Sequence, residues 1–357
     1  MNKNEYANSV RQVALQLVKI PLIHHPHCLL GSGEALKDAL GQFVSSITFK
    51  QFIPSHGGQD RTSPCFLNWI KQGDAMLAFL EPGTASHIEC WQDQYYAVVF
   101  MLDGRARLAQ FPPARPADDG LFFIKPDADI YFQFSAYAPQ LVFRIKPAGP
   151  DRDVVHTRFS DGEEQGGAFD AAVRDFMRAL PFTLHYAMPH KELCQRLEQM
   201  ADYFVALCRD PKAAPRPSFL PLGKPDQRVE RVVNHLQTLP LDQYDPDYLC
   251  GLANMSQRGL YYAFERQMGC SPYRFLLASR LVTVRLALLL DTERRHTISW
   301  YASQEGFRHM SRFAAQYGRF FGELPSETLT RQDSVLVGEW EAFYRQKGQD
   351  TAIKSVS

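Results

Sequence analysis

Imidazole, thiol and guanidinium groups are the side chains in this 357-residue sequence best suited to binding or reaction. His24, His25 and His27 form an HHxH cluster, and His87 and Glu89 alternate in one short run. Imidazole and carboxylate can hold a metal ion, but a site needs roughly three or four donors converging in space. HHxH alone does not supply that, so no metal and no cofactor are expected. The seven cysteines, at 28, 65, 90, 194, 208, 250 and 270, are scattered and form no CxxC pair. They read as reduced, packed thiols rather than a disulfide framework or a zinc knuckle. Arg105, Arg107 and Lys125 can pair with an anionic ligand only if they face inward, and solvation is their default. Gly31-Ser32-Gly33 is too short to cradle a phosphate, and no spaced nucleophile–base pair is present. The remaining chemistry belongs to arginine. Between Asp226 and Arg331 there are 13 Arg, no Lys and 11 acidic residues, a net of +2 within a chain whose 39 basic and 39 acidic residues cancel. Guanidinium forks match guanine edges and phosphates, provided folding gathers them on one face.

The elements that must position these groups divide the chain. A hydrophobic content of 45% and an aromatic content of 12% suffice for a sizeable core. No apolar run approaches the roughly 18 residues of a membrane span. The N-terminus lacks the apolar core and cleavage pattern of a signal peptide, so a cytoplasmic location is expected. Charge balance excludes a highly basic coating protein or an acidic tail. From about 60 to 147, short aromatic-rich runs at 75–80, 95–102, 121–124, 130–134 and 141–145 read as antiparallel strands broken by Asp103-Gly104, the proline-rich stretch 112–116 and Pro126-Asp127. Residues 168–181 and 190–208 carry apolar side chains at helical spacing. The prolines at 211, 215 and 217 mark a linker, beyond which the period is helical throughout. The apolar run 13–20 has a period that fits neither helix nor strand alone, and the mixed segment 335–344 reads as a further helix before a polar tail.

Two short patterns beyond the linker share one grammar. In the first, Leu249, Leu252 and Ala253 form a packing face, Asn254 suits a left-handed turn, and Ser256 can cap a following helix carrying Leu260 and Phe264. In the second, Ile298, Tyr301 and Ala302 precede Gly306, Phe307 fills the small core, and Phe313 and Tyr317 continue the face; Ser311 or a neighbour is expected to cap. Between them Ser271-Pro272 reads as a cap with proline at the first helical position. The apolar stripe from Tyr273 to Leu289 lies on a connecting helix that, from Pro272 to Leu289, is about 27 Å long at ~1.5 Å per residue. That length suits two helices entering successive major grooves, which repeat every 34–36 Å or so.

On these residues, 228–331 resembles the double helix-turn-helix domain of the AraC/XylS family of transcription regulators. The resemblance rests on Leu260-Tyr261-Tyr262-Ala263-Phe264, Gly269-Cys270-Ser271-Pro272 through Phe275-Leu276, Arg280-Leu281, Ala287 to Leu290, Gly306-Phe307, Phe320-Phe321-Gly322 and Pro325-Ser326. Cys250, Gly251, Asn254 and Tyr301 depart from the usual pattern, and Ala315 stands where several members use a base-reading arginine. By resemblance, Arg258, Tyr261 and Tyr262 approach base edges, and Gln257 is a weaker phosphate candidate. Arg308, His309, Ser311 and Arg312 are the phosphate or groove contacts of the second unit, and Arg319 is a weaker one. The family layout also implies a cupin-like barrel in front that holds an effector, with trailing helices that support dimerisation. Aromatic residues such as Trp69, Phe79, Trp91, Tyr95, Phe100, Phe122, Phe123, Tyr131, Phe132 and Phe134 would share that barrel's core and pocket.

The expected fold is therefore α+β: an N-terminal cupin-like antiparallel β-barrel with trailing helices, then an all-α double helix-turn-helix domain. Residues 1–210 would sense and dimerise, 211–225 link, 226–331 bind DNA, and 332–357 form an extension. The expected function is an effector-controlled activator that is not an enzyme, its partners being double-stranded promoter DNA, RNA polymerase, a small molecule and a second copy of the chain, with no membrane. The rival is a metal-dependent small-molecule enzyme fused to a DNA-binding regulatory module.

Overall fold

The computed structural model describes residues 28–32, 47–54, 64–81, 86–92, 94–102, 104–111, 114, 120–135, 138–160, 167–188, 190–220, 226–291 and 294–330. The histidine cluster at 24–27, the runs 13–20 and 335–344, and the extension 332–357 lie outside them. The chain divides into two compact units. One comprises 27–180 with 191–218; the other includes 181–190 with the chain from 219 onward.

The first unit is built on two antiparallel sheets. One orders its strands β1 (Cys28–Ser32), β3 (Pro64–Gln72), β4 (Ala75–Glu81), β10 (Gln140–Ile145), β6 (Tyr96–Met101) and β8 (Leu121–Ile124). The other runs β2 (Ile47–Pro54), β5 (Ser86–Gln92), β9 (Ala128–Phe134) and β7 (Ala106–Phe111). Strict alternation along β9 buries Ala128, Ile130, Phe132 and Phe134 and exposes Asp129, Tyr131 and Gln133. Those inward residues pack with Val99, Met101, Phe122 and Ile124 of the larger sheet. β6 is buried on both faces because helices cover the other side. They are α1 (Pro150–Ser160), α2 (Ala168–Thr183) and α3 (His190–Arg209). Phe159 of α1 meets Tyr96 and Phe123, while Phe176 of α2 and Phe204 of α3 both meet Phe143, with ring centroids 5.0–5.4 Å apart. Aromatic edge-to-face packing thus joins sheet to helices. This is the expected α+β barrel with trailing helices, but its aromatic residues divide among three environments. Phe122, Phe132 and Phe134 lie between the sheets, Phe100 and Phe123 face the helices, and Tyr131 faces outward.

The second unit is helical: α4 (Gln227–Leu236), a 3-10 turn (Leu241–Gln243), α5 (Pro246–Ala253), α6 (Gln257–Met268), α7 (Pro272–Leu290), α8 (Ile298–Gln304), α9 (Met310–Phe321) and α10 (Pro325–Thr330). Ser271 accepts from the Arg274 N–H and Pro272 opens α7, as the sequence predicts. α7 is buried nearly all round from Phe275 to Leu289, the mark of a central helix. Pro181–His190, read from the sequence with the sensing domain, joins this unit. The cause is local chemistry. His185 accepts the Ala187 N–H at Nδ1, so its Nε2–H donates to the Met268 carbonyl at 2.7 Å. Tyr186 packs on Phe275 with centroids 5.4 Å apart, and burial pushes its phenol up to about 12.

Candidate nucleic-acid interface

The first helix-turn-helix unit turns at Asn254, which adopts φ 52 and ψ 52. The Asn254 and Met255 N–H groups close the end of α5 on the carbonyls of Gly251 and Cys250, at 3.1 and 3.0 Å. Ser256 then accepts from the Gly259 N–H and starts α6. Leu260, Ala263, Phe264 and Met268 bury one face of α6. The opposite face leaves Gln257, Arg258, Tyr262 and Arg266 exposed. Arg258, Tyr262 and Arg266 recur every fourth residue and form one stripe. The Tyr262 ring is 69% exposed, and the Arg266 guanidinium carbon lies 6.0 Å from its centroid. Tyr261 has a different setting. It is half-buried, with its hydroxyl 2.8 Å from that of Tyr244, whose own phenol is pushed up by burial and by this bond.

In the second unit Thr297 caps α8 and the chain reverses at Gly306, φ 84. A Cβ there would stand 2.6 Å from the Asp242 backbone N, so only glycine allows the 3-10 turn to approach. Phe307 is buried and meets Phe313 at 4.9 Å. The N-cap of α9 is His309, without a side-chain bond. Ser311 therefore lies inside the first turn rather than capping it. Arg308, His309, Ser311 and Arg312 are all exposed, and Ala315 and Arg319 continue their surface along α9. Arg308, 74% exposed, also reaches Asp242 at 3.3 Å.

What holds the second unit on α7 is a set of buried charges. Arg280, with no exposed side-chain surface, donates to Glu305 at 2.8 Å, to the Ser279 hydroxyl and to the Gln237 carbonyl. One guanidinium thus joins the end of α4, α7 and the turn after α8. Five residues on, Arg285 pairs with Glu323, which also accepts from the Thr328 hydroxyl. Thr328 shares a 2.7 Å bond with Tyr317 of α9, whose phenol burial pushes up to about 12.

The structure therefore brings Gln257, Arg258 and Tyr262 to one exposed surface and Arg308, His309, Ser311 and Arg312 to another, leaving Tyr261 at a packed edge. Sequence reasoning did not single out Arg280, Arg285, Glu305 or Glu323 for this positioning work. The available signal was Arg280 and Arg285 within the mainly apolar stretch 275–290 of α7. In the β-unit, Arg105 and Arg107 are exposed while Lys125 is buried, and His87 stacks on Tyr131 at 5.6 Å. Among the described residues no group of three or more His, Cys, Asp or Glu side chains can hold a metal ion. None of the described helices is long and apolar enough to cross a membrane.

A family model described as "Helix-turn-helix domain" matches residues 249–331. The chain is 38% identical over 101 residues to "XylDLEGF operon transcriptional activator 2" of Pseudomonas putida, covering 28% of this chain and 64% of that protein. It is 35% identical over 107 residues to "XylDLEGF operon transcriptional activator" of the same species, covering 30% and 33%. The chain thus spans less than two thirds of either relative's length. A solved structure of "a probable AraC family transcriptional regulator from Rhodopseudomonas palustris CGA009" is 33% identical, covering 30% of this chain and 98% of that one, with a TM-score of 0.28.

Proposed function

The chain belongs to the AraC/XylS family through its helical domain, and from that premise we propose that it is a transcription regulator binding double-stranded promoter DNA sequence-specifically. The observation that carries the reading is a pair of helix-turn-helix units with exposed polar helix faces, the second locked to α7 by buried ion pairs. α7 has 19 residues and spans about 28 Å at ~1.5 Å per residue, in keeping with readers placed in successive major grooves.

In this reading α6 reads base edges. Arg258 offers a fork to guanine O6 and N7, Gln257 suits adenine, and Tyr262 supplies an exposed ring with a polar tip. α9 places Arg308, His309, Ser311 and Arg312 against phosphates and the groove. Ala315 can meet a thymine methyl but cannot make a bidentate guanine contact, so the first unit carries more of the base readout. Residues 1–210, apart from 181–190, sense an effector and support a homodimer, 211–225 link, 226–331 bind DNA, and 332–357 extend the chain. An effector that prefers one arrangement of dimer and linker shifts promoter occupancy and contact with RNA polymerase, giving activation. It acts in the cytoplasm, where promoter DNA is reached. The relatives described as operon activators favour this regulator over the enzyme fusion.

The test is genome-wide occupancy in the native cell, with an Arg258→Ala control. A compact set of peaks sharing one sequence, weakened by the substitution, supports the reading. Peaks without a shared sequence, or unaltered by Arg258→Ala, overturn it.

A further inference from the structure

The helical unit contains a cavity of about 660 Å³ between α7, α9 and the segment ending at Met188. All of its lining residues belong to that one unit. Leu277 and Leu281 of α7, Phe320 of α9 and Met188 make its wall apolar. Arg274 and Arg319 also line it; both are exposed, and neither pairs with a carboxylate among the described residues. The volume lies within the roughly 300–1,000 Å³ of small-molecule sites, and an apolar wall with a few polar groups is their usual lining. We propose that this cavity binds an amphipathic carboxylate, its alkyl or aryl body on Leu277, Leu281 and Phe320 and its head group between Arg274 and Arg319.

The lining selects that chemistry. An inorganic phosphate or sulfate would lose hydration against the apolar wall and gain nothing from it. A neutral hydrocarbon would fill the wall and leave both cations unused. A carboxylate with an apolar body satisfies both, because guanidinium–carboxylate bonds are charge-assisted and bidentate. Met188 suits ligands of variable shape, since its side chain repacks readily. Occupancy would bridge α7 and α9 inside the DNA-reading unit itself, apart from the β-unit.

The experiment photolabels the full chain with a diazirine-bearing decanoate and maps the modified peptides by mass spectrometry. Label is expected in peptides from 272–290 and 310–321, saturating at one per chain. Decanoate should compete about tenfold better than decanol, the worth of a charge-assisted contact, while inorganic phosphate should not compete. Leu277→Trp, which places a large ring in the cavity, should abolish the label. Arg274→Leu with Arg319→Leu should weaken binding about tenfold by the same reckoning. If Leu277→Trp lowers the melting temperature, the arginine pair decides, since both side chains are exposed and their removal leaves the core intact. Label confined to peptides of 28–145, equal competition by decanol, or labelling indifferent to the arginine substitutions overturns the proposal.

Discussion

Glu305→Gln should loosen the second helix-turn-helix unit from α7 without changing its shape. The carboxylate accepts from Arg280 at 2.8 Å, and both side chains are almost wholly buried, at 2% and 0% exposure. Unit charges at that distance attract by about 6 kcal/mol at an effective dielectric of ~20. Glutamine keeps the volume and one acceptor but removes the charge. The bonds of Arg280 to the Gln237 carbonyl and the Ser279 hydroxyl remain. Removing one side of a buried pair costs about 3–5 kcal/mol, because the surviving ion has already lost its water. Most of that cost should fall on opening of α7, α8 and the Gly306 turn.

Hydrogen exchange read by mass spectrometry reports such local opening without requiring the whole chain to unfold. Amides of 275–307 should lose about 3–5 kcal/mol of protection in Glu305→Gln and a similar amount in Arg280→Met. The double variant Arg280→Met, Glu305→Met should recover most of it, since neither methionine takes a charge out of water. DNA with both half-sites should lose affinity for Glu305→Gln more than a single half-site does. A single substitution costing under about 1 kcal/mol, the scale of a surface pair, would refute the reasoning. So would a double variant whose cost is the sum of the singles.

Gly306→Ala should destabilise the second unit by more than about 2 kcal/mol, since a left-handed residue with a Cβ costs ~1–2 before the clash with the Asp242 backbone is counted; urea unfolding followed at Trp300 measures it. Stability should fall as pH rises above 10. Tyr186 and Tyr317 keep their protons to about 12 when folded, whereas the unfolded chain releases them near its ordinary phenol value of 10. Folding thus binds more protons across that window, at about 2–3 kcal/mol per tyrosine by its upper end. Melting temperatures between pH 8 and 11.5 should show the fall, with a shallower slope in Tyr317→Phe. Arg312→Ala should weaken DNA binding similarly across sequences and reduce the salt slope by about one, as loss of a phosphate contact does; fluorescence anisotropy between 50 and 200 mM salt distinguishes this from the base-selective loss expected of Arg258→Ala.

Much of the helical unit was legible because its turns are governed by local chemistry. Asn254 in the left-handed region, Ser256 and Ser271 as caps, Pro272 at the first helical position and Gly306 at the reversal each announce their geometry within four residues. The sequence narrows the cap of α9 only to Ser311 or a neighbour, because His309 occupies it with no side-chain bond and so leaves no local signal. α1 escaped notice for a related reason: only Val155 and Phe159 are buried along its 11 residues, too few to display a period. β7 alternates, but its inward residues include Ala106 and Gln110, which do not read as an apolar face. Long-range choices were harder still. Nothing near His185 says that its ring will meet the carbonyl of Met268, 83 positions away.

The buried arginines explain why the recognition faces were easier to find than the parts that aim them. A recognition helix needs an exposed polar stripe opposite a small apolar core, and that pattern is local. Fixing two such helices to one another requires contacts that cannot slide along α7. Apolar side chains alone tolerate shifts of register, because many neighbouring packings bury similar area. A buried guanidinium does not: moved by one residue, it would lose Glu305 and the Gln237 carbonyl together and strand a charge in the core. Arg280 sets the position of the turn before α9, and Arg285 sets the segment after it through Glu323 and Thr328. With both ends of α9 referred to the same helix, its orientation follows from α7. Stability alone would favour apolar side chains in place of each whole pair, Arg280 with Glu305 and Arg285 with Glu323, so the presence of the ion pairs is best accounted for by the need for one fixed orientation.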